Sequence, residues 1–370
     1  MTQEADPIDP REKVWVVYLD MDAFYLSCEL TRHPELRGSP AIVAHDPKEG
    51  KGRGVVLSAS YEARALGFRS AQPVKQAWLL RHLVQWLPPD FEFYQAVSDR
   101  VMEYLRSHSA SLRVFSIDEA AYLTEELSAG EAEQEAKVLQ QRIQERFHLP
   151  CSLGIATGLT VAKMASDHAK PGGIRIVKEE DARDFLAHLP VRKVPGIGPV
   201  AGRALEGLGV KLIEDAAKVP AAKLRSALGQ LGSDLREMAE GRVPSEGWPE
   251  ETPPKSMGQM ITFDSDLGDP EPIQAELKTL SEHLGPAIRK SGHLFKGVSV
   301  TVRWEDLDGA QKSRTLKLPT DSGEVLRNVG SDLLNELLRS RERAERKVRT
   351  LGLSVYNLRP APVGQRKLEV

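Results

Sequence analysis

Cysteine is nearly absent, with Cys28 and Cys151 the only two in 370 residues. Two thiols cannot build a disulfide scaffold or a Cys-rich zinc cluster, and their scarcity fits a reducing compartment. Long apolar runs are missing too. The longest near the start is Val14 to Leu19, far below the roughly 18 residues a membrane span needs. The opening MTQEADPIDPREK lacks the basic-then-apolar order of a secretory signal. A cytoplasmic protein without a membrane partner is therefore expected. No sign of charge dominates: 50 Lys and Arg face 53 Asp and Glu, a net −3, which excludes a polycation that coats nucleic acid by bulk charge. Apolar and charged residues, at 41% and 28%, are both plentiful. That balance excludes wholesale disorder, and the length suggests two or three domains.

The run Val14–Leu19 is short, β-branched and aromatic and ends in Asp20, the pattern of a buried strand. Gly50, Gly52 and Gly54 with Lys51 and Arg53 form a basic loop, and Gly54 to Ser58 reads as another strand. Residues 96–107 read as helix, and Leu112 to Ile117 as a strand running into Asp118-Glu119. A helix over 131–147 is marked by Leu139, Ile143 and Phe147. A strand over Cys151–Ala156 and a helix over Val161–His168 follow. Such alternation favours an α+β or α/β core. From 188 to about 242 the pattern is one of short helices broken by glycine and proline. The stretch 243–256 carries four prolines and reads as a linker. Beyond it, residues 257–358 read β-α-β-β-α-β. Val298, Val300, Val302 and Trp304 alternate with polar residues, and Leu307-Asp308-Gly309 supplies the hairpin turn.

Three places carry chemistry. Asp20-Met21-Asp22 closes a buried strand, and Ser116-Ile117-Asp118-Glu119 lies at the tip of a second. Acids delivered at the ends of apolar strands sit near low dielectric and repel one another, a cost that a divalent cation removes. If the strands are neighbours, Asp20, Asp118 and Glu119 could hold two ions about 4 Å apart, the arrangement of in-line phosphoryl displacement. Either motif alone is also compatible with a surface turn or helix cap. The third place is Val194-Pro195-Gly196-Ile197-Gly198-Pro199 between short helices, a helix-hairpin-helix pattern in which Gly196 and Gly198 let the backbone approach a phosphate. A plain tight turn is the simpler alternative there.

These stretches together resemble the Y-family of translesion DNA polymerases, of the DNA polymerase IV type. The resemblance spans about residues 14–358. It is carried by LDMDAFY (19–25), SASYEAR (58–64), SIDEA (116–120), AKMASDHAKPGG (162–173) and VPGIGP (194–199). It implies an α+β multidomain fold, a right-hand polymerase with palm, fingers, helical thumb and a βαββαβ little finger. The corresponding boundaries are 1–35 for an N-terminal extension and the first part of the palm, 36–88 for fingers and 89–187 for palm. The helix-hairpin-helix thumb follows at 188–242, the linker at 243–256, the little finger at 257–358 and a tail at 359–370.

The resemblance further implies that Asp20, Asp118 and Glu119 are the catalytic and metal-binding carboxylates. The Met21 carbonyl is then an added ligand, and Asp22 the less secure acid. It places Phe24, Tyr25, Ser58, Tyr61, Arg64 and Lys163 around the incoming nucleotide. Tyr25 becomes the ring that leaves no room for a ribose 2′-hydroxyl, and Leu57 and Ala59 cover the nascent base pair. Two Mg²⁺ ions, with Mn²⁺ as a substitute, are the implied cofactors. Primer–template DNA and a dNTP are the implied partners, with a sliding clamp as a further family partner and the chain itself a monomer. The tail from Ala361 to Lys367 shows no clear clamp-binding peptide. Gly196 and Gly198, with Arg303 and Arg314 on later strands, are the DNA contacts expected. Arg339, Arg341, Arg343, Arg346, Lys347 and Arg349 form either a solvated helix end or a DNA-contacting patch. One departure is Gly158-Leu159 where the family usually carries Asn-Lys. The expected reaction is low-fidelity, template-dependent dNTP addition past damaged bases. The alternatives are a degenerate DNA-binding scaffold and a metal-dependent nucleotidyl or glycosyl transferase that uses the DxD.

Overall fold

The computed structural model describes residues 13–244, 247–250, 253–339 and 346–361. Arg341 and Arg343 of the basic cluster, the first twelve residues and the tail beyond 361 lie outside the described residues. The chain divides into two units: Met1–Gly50 with Gly54–Glu250, and Lys51–Arg53 with Glu251–Val370.

The first unit opens with β1 (Lys13–Met21), α1 (Phe24–Arg32), β2 (Ala41–Ala44), β3 (Val56–Ala59), α2 (Tyr61–Ala65), α3 (Val74–Ala77) and β4 (Gln85–Leu87). It continues through α4 (Phe91–His108), β5 (Arg113–Val114), β6 (Glu119–Leu127), α5 (Ala129–Phe147), β7 (Cys151–Ala156), α6 (Leu159–Ala169) and β8 (Ile174–Ile176). Helices α7 (Ala182–Ala187), α8 (Pro199–Gly207), α9 (Ala221–Leu228) and α10 (Gln230–Ala239) complete it.

The main sheet runs β5-β6-β1-β7-β8. Its central strand β1 is apolar without interruption from Trp15 to Leu19 because both faces are covered there. Trp15, Val17, Leu19 and Met21 enter a core with Tyr94, Val101 and Leu105 of α4 and Leu139 and Ile143 of α5. Val16 and Tyr18 face the other way, onto Val161, Ala162 and Ala165 of α6. That second core runs on through Val194, Ile197, Leu205, Leu224 and Leu235, so α7–α10 share it. A smaller sheet, β3-β2-β4, has its own core of Ile42, Val56, Ala59, Phe68 and Val74. Cys28 and Cys151 are both fully buried in the first core.

Local signals explain the boundaries. Asp90 caps α4 by accepting from the Phe93 N–H at 3.0 Å, which moves its start five residues ahead of the predicted one. Ser128 and Glu131 form a capping box on α5. Gly158 opens α6, and a Cβ there would come within 2.6 Å of Val243, so the departure from Asn-Lys matches a close approach of the chain at 243. The stretch 112–117 is not the continuous strand expected. Only Arg113–Val114 pairs, and a tight turn follows.

The second unit contains β9 (Ser256–Leu267), α11 (Pro270–Lys290), β10 (His293–Trp304), β11 (Gly309–Thr320), α12 (Gly323–Leu338), β12 (Val348–Tyr356) and β13 (Arg359–Pro360). Up to β12 this is the βαββαβ order expected, in a sheet of order β11-β10-β12-β9. Val298, Val300, Val302 and Trp304 pack against Leu277, Leu284, Leu333 and Leu334 of the two helices. No helix among the described residues is long and apolar enough to cross a membrane.

Candidate active site

Strand pairing brings the two acidic motifs together. β1 and β6 are antiparallel neighbours with Asp20 opposite Glu119, and the Met21 N–H donates to the Asp118 carbonyl at 3.0 Å. A hundred residues of chain are thereby closed onto one end of one sheet. Asp118 lies in the β5–β6 turn and Glu119 opens β6, so these acids begin a strand instead of ending one. The turn is fixed from two sides. The Ser116 hydroxyl donates to Asp118 Oδ1 at 2.6 Å, and buried Ser98 of α4 donates to the Ile117 carbonyl at 2.5 Å.

Asp22 turns away, as its position after the strand suggested. It is buried, accepts both from Ser152 Oγ at 3.0 Å and from the Gly172 N–H at 2.8 Å, and takes the Tyr61 hydroxyl at 3.3 Å. That carboxylate ties β1 to β7 and the 170–173 turn.

Two lysines meet the remaining acids. Lys170 Nζ lies 2.5 Å from Asp20 Oδ2 and 3.3 Å from Asp167. Lys163 Nζ donates to both Glu119 oxygens, at 2.8 and 2.9 Å, and reaches the Tyr18 hydroxyl at 3.0 Å. Burial pushes the Asp20 carboxyl up, to about 7, despite Lys170. Burial acts in the same direction on Glu119, but the Lys163 hydrogen bonds and charge outweigh it and hold that carboxyl below its ordinary value. Burial and the Glu119 charge keep the Tyr18 phenol protonated.

Beside these acids opens a cavity of about 260 Å³, lined by Asp20, Met21, Ala23, Phe24, Tyr25, Leu57, Ser58, Arg64, Ser70, Asp118, Glu119, Asp167 and Lys170. Most of the residues predicted around a nucleotide thus line one space. Arg64 is held there by its Nε donating to the Ala59 carbonyl at 3.1 Å and by stacking over the Tyr61 ring. Tyr61 and Lys163 are not among the lining residues, since each is bound to an acid as described. Ala59 is buried in the small sheet's core, whereas its neighbour Leu57 faces the cavity. Lys170 is the residue sequence reasoning missed. It follows Lys163 by seven residues in AKMASDHAKPGG, just past the C-terminal end of α6 and in extended conformation, and no local pattern ties it to Asp20.

Among the described residues, no three His, Cys, Asp or Glu side chains converge at metal-ligand distance. The ammonium groups of Lys170 and Lys163 neutralise Asp20 and Glu119 instead. An all-oxygen donor set of three carboxylates, one buried with a raised pKa, is nonetheless the chemistry that Mg²⁺-type cations select.

Gly196 has φ +87°, the left-handed conformation that favours glycine, and Gly198 precedes α8, with Pro199 as its first residue. Arg303 is exposed on β10. Arg314 differs. It sits opposite Val298 on the helix-covered side of the sheet, and its guanidinium binds Asp332 at 3.0 Å and Glu336 at 2.7 Å on α12. Arg346 is similarly engaged by Asp306 and Asp308.

The impB/mucB/samB family matches residues 19–167, its C-terminal domain 254–369, and the IMS family HHH motif 179–210. DNA polymerase IV 2 of Methanosarcina mazei is 35% identical over 351 residues, covering 94% of this chain and 93% of that protein. DNA polymerase IV of Streptococcus mutans is 32% identical over 346 residues, with 93% and 92% covered. Among solved structures, a Y-family DNA polymerase chimera of Dbh and Dpo4 superposes with a TM-score of 0.83 at 28% identity, covering 94% of this chain and 99% of that one. An insertion ternary complex of Dbh DNA polymerase gives 0.63 at 27%, with 94% and 99% covered. Relatives more than 30% identical that are matched almost from end to end make this protein a member of the impB/mucB/samB family, a Y-family DNA-directed DNA polymerase of the DinB type that depends on divalent metal.

Proposed function

We propose that this polymerase extends a primer on a DNA template from dNTPs, with low fidelity and past damaged bases, using two Mg²⁺ ions. The supporting observation is the pairing of Asp20 with Glu119 across β1 and β6, with Asp118 hydrogen-bonded into the same sheet end. In the reaction the primer 3′-hydroxyl attacks the α-phosphorus of the dNTP and pyrophosphate leaves. Bound divalent ions supply Lewis-acid polarisation of the phosphoryl oxygens and acidify the attacking hydroxyl. Asp20, Asp118 and Glu119, with the Met21 carbonyl, are the residues that would hold them. Arg64 and Lys170 line the cavity as cations for the triphosphate, Arg64 through its planar fork. Ser58 and Phe24 complete the wall, and Tyr25 closes the space where a ribose 2′-hydroxyl would project. Lys163 acts by orienting Glu119, and Tyr61 by orienting Asp22 and carrying Arg64 on its ring.

The domain assignment that goes with this reading is palm for the main sheet, fingers for the β3-β2-β4 sheet, thumb for 188–242 and little finger for 257–358. The turn at Gly196 and Gly198 and the exposed Arg303 are the proposed contacts to the DNA backbone. Arg314, already satisfied by two acids, is a weaker candidate for that role.

Asp118→Ala tests the assignment. Removing one shared carboxylate should cost on the order of a thousandfold or more in primer extension, while binding to primer–template stays near that of the wild type. Extension within a few-fold of wild type refutes it.

A further inference from the structure

Tyr25 stands at the start of α1 and is only half-buried, so its ring needs a wall behind it. Tyr94 of α4 is that wall. It is fully buried, its ring centroid lies 4.9 Å from that of Tyr25 at an angle of 34°, and it does not line the cavity that Tyr25 faces. The Tyr94 hydroxyl donates to Glu29 Oε1 at 2.7 Å. Glu29 is one helical turn beyond Tyr25 on α1 and is itself buried. A buried acid without a donor is costly, so this hydrogen bond adds to packing in holding the ring of Tyr94. Burial, and then the bond to Glu29, keep the Tyr94 phenol protonated and donating.

The surroundings stiffen the same junction. Phe91 meets Tyr25 edge-on at 6.0 Å, Arg32 of α1 lies 3.3 Å over the Phe93 ring, and Arg32 pairs with Asp90 at 2.8 Å. Helices α1 and α4 are thereby joined at Tyr25, Glu29 and Arg32, and ring position decides how much room the sugar has.

We propose that Tyr94, locked by Glu29, is a positioning residue for sugar discrimination: it fixes the Tyr25 ring against the cavity without touching the nucleotide. The proposal rests on the reading of Tyr25 as the sugar gate. Its readout is the ratio of kcat/KM for a dNTP to that for the matching rNTP, in single-nucleotide insertion by the full-length enzyme. A merely structural role would lower both values together and leave the ratio unmoved. Tyr25→Ala should lower the ratio by about a hundredfold, and Tyr94→Leu by about tenfold with dNTP insertion within about threefold of wild type. Tyr94→Phe keeps the ring and removes only the hydroxyl, leaving Glu29 without that donor; it should lower the ratio about threefold. Glu29→Gln retains an acceptor and should leave the ratio near wild type. In a Tyr25→Ala background, Tyr94→Phe should have no further effect, because its influence passes through the missing ring.

An unchanged ratio in Tyr94→Phe, or an additional loss in the double variant, overturns the proposal. An unchanged ratio in Tyr25→Ala overturns instead the gate on which it rests, so the two failures are distinct.

Discussion

Asp20 shows how one residue can be set against the stability of the fold that holds it. Its carboxyl is almost fully enclosed, and burial raises its pKa from 3.8 to about 7. The folded chain therefore holds that proton more tightly than the unfolded chain does. Between these two values the folded state must give up a proton it favours, so stability falls as pH rises through this window. Asp20→Asn removes the penalty. In chelator the variant should melt a few degrees above wild type at pH 7 and lose that advantage toward pH 4, while primer extension disappears. Added Mg²⁺ should raise the melting temperature of the wild type and leave that of the variant nearly unmoved; calorimetry at two pH values checks both. Asp20 stood out in the sequence only in company with Asp118-Glu119, because an acid ending a β-branched run is by itself equally a surface turn or helix cap. Its partner did not stand out. Lys170 lies 150 residues away, and only the stacking of α6 on the sheet makes the pair. Arg314 is the converse case. Alternation along β11 is visible in the sequence, but which face α12 covers, with Asp332 and Glu336 waiting there, is a matter of topology.

At the scale of elements, the approach of α6 to β7 sets where Lys163 and Lys170 can reach. Gly154 of β7 permits it. A Cβ there would come within 1.9 Å of the Ala162 carbonyl oxygen and 2.2 Å of the Ser166 nitrogen, backbone atoms that cannot swing aside. Gly154→Ala should cost about 3 kcal/mol or more of stability, read by denaturant unfolding, because helix and strand must part. Helix α4 has a comparable role on the opposite face. Tyr94 and Ser98, four residues apart and so on one side of the helix, back Tyr25 and the Ile117 carbonyl respectively. The α5 stripe and the β10–β11 hairpin were readable from periodicity and turn chemistry. The β5–β6 turn was not, since Leu112 to Ile117 has the composition of a strand and only its pairing shows that it bends after Val114. Asp118 and Glu119 owe their position to that early bend.

For the whole molecule, the consequential feature is division. The βαββαβ unit keeps its own core, with Leu351, Leu353 and Val355 of β12 packed beneath both helices. Leu353→Ala should therefore cost about 2–5 kcal/mol within that unit alone. Calorimetry should then show one transition lowered while a second, belonging to the first unit, stays in place; a single transition that shifts as a whole would contradict this. The two-unit plan was visible in the prolines between Val243 and Ser256, whereas the shared core of α6 with α7–α10 was hidden, because short helices broken by glycine look alike whether they pack alone or on a sheet. Enclosure of both native thiols has a practical corollary for work on the intact enzyme. Cys28 and Cys151 are sealed in the first unit, and burial pushes both thiol pKa values well above the ordinary one, Cys28 up to about 12, which leaves them unreactive. A lone cysteine placed at an exposed site such as Leu318, which is 77% accessible, would take a maleimide dye at that point only, giving a fluorescent reporter without removing any natural side chain from the interior.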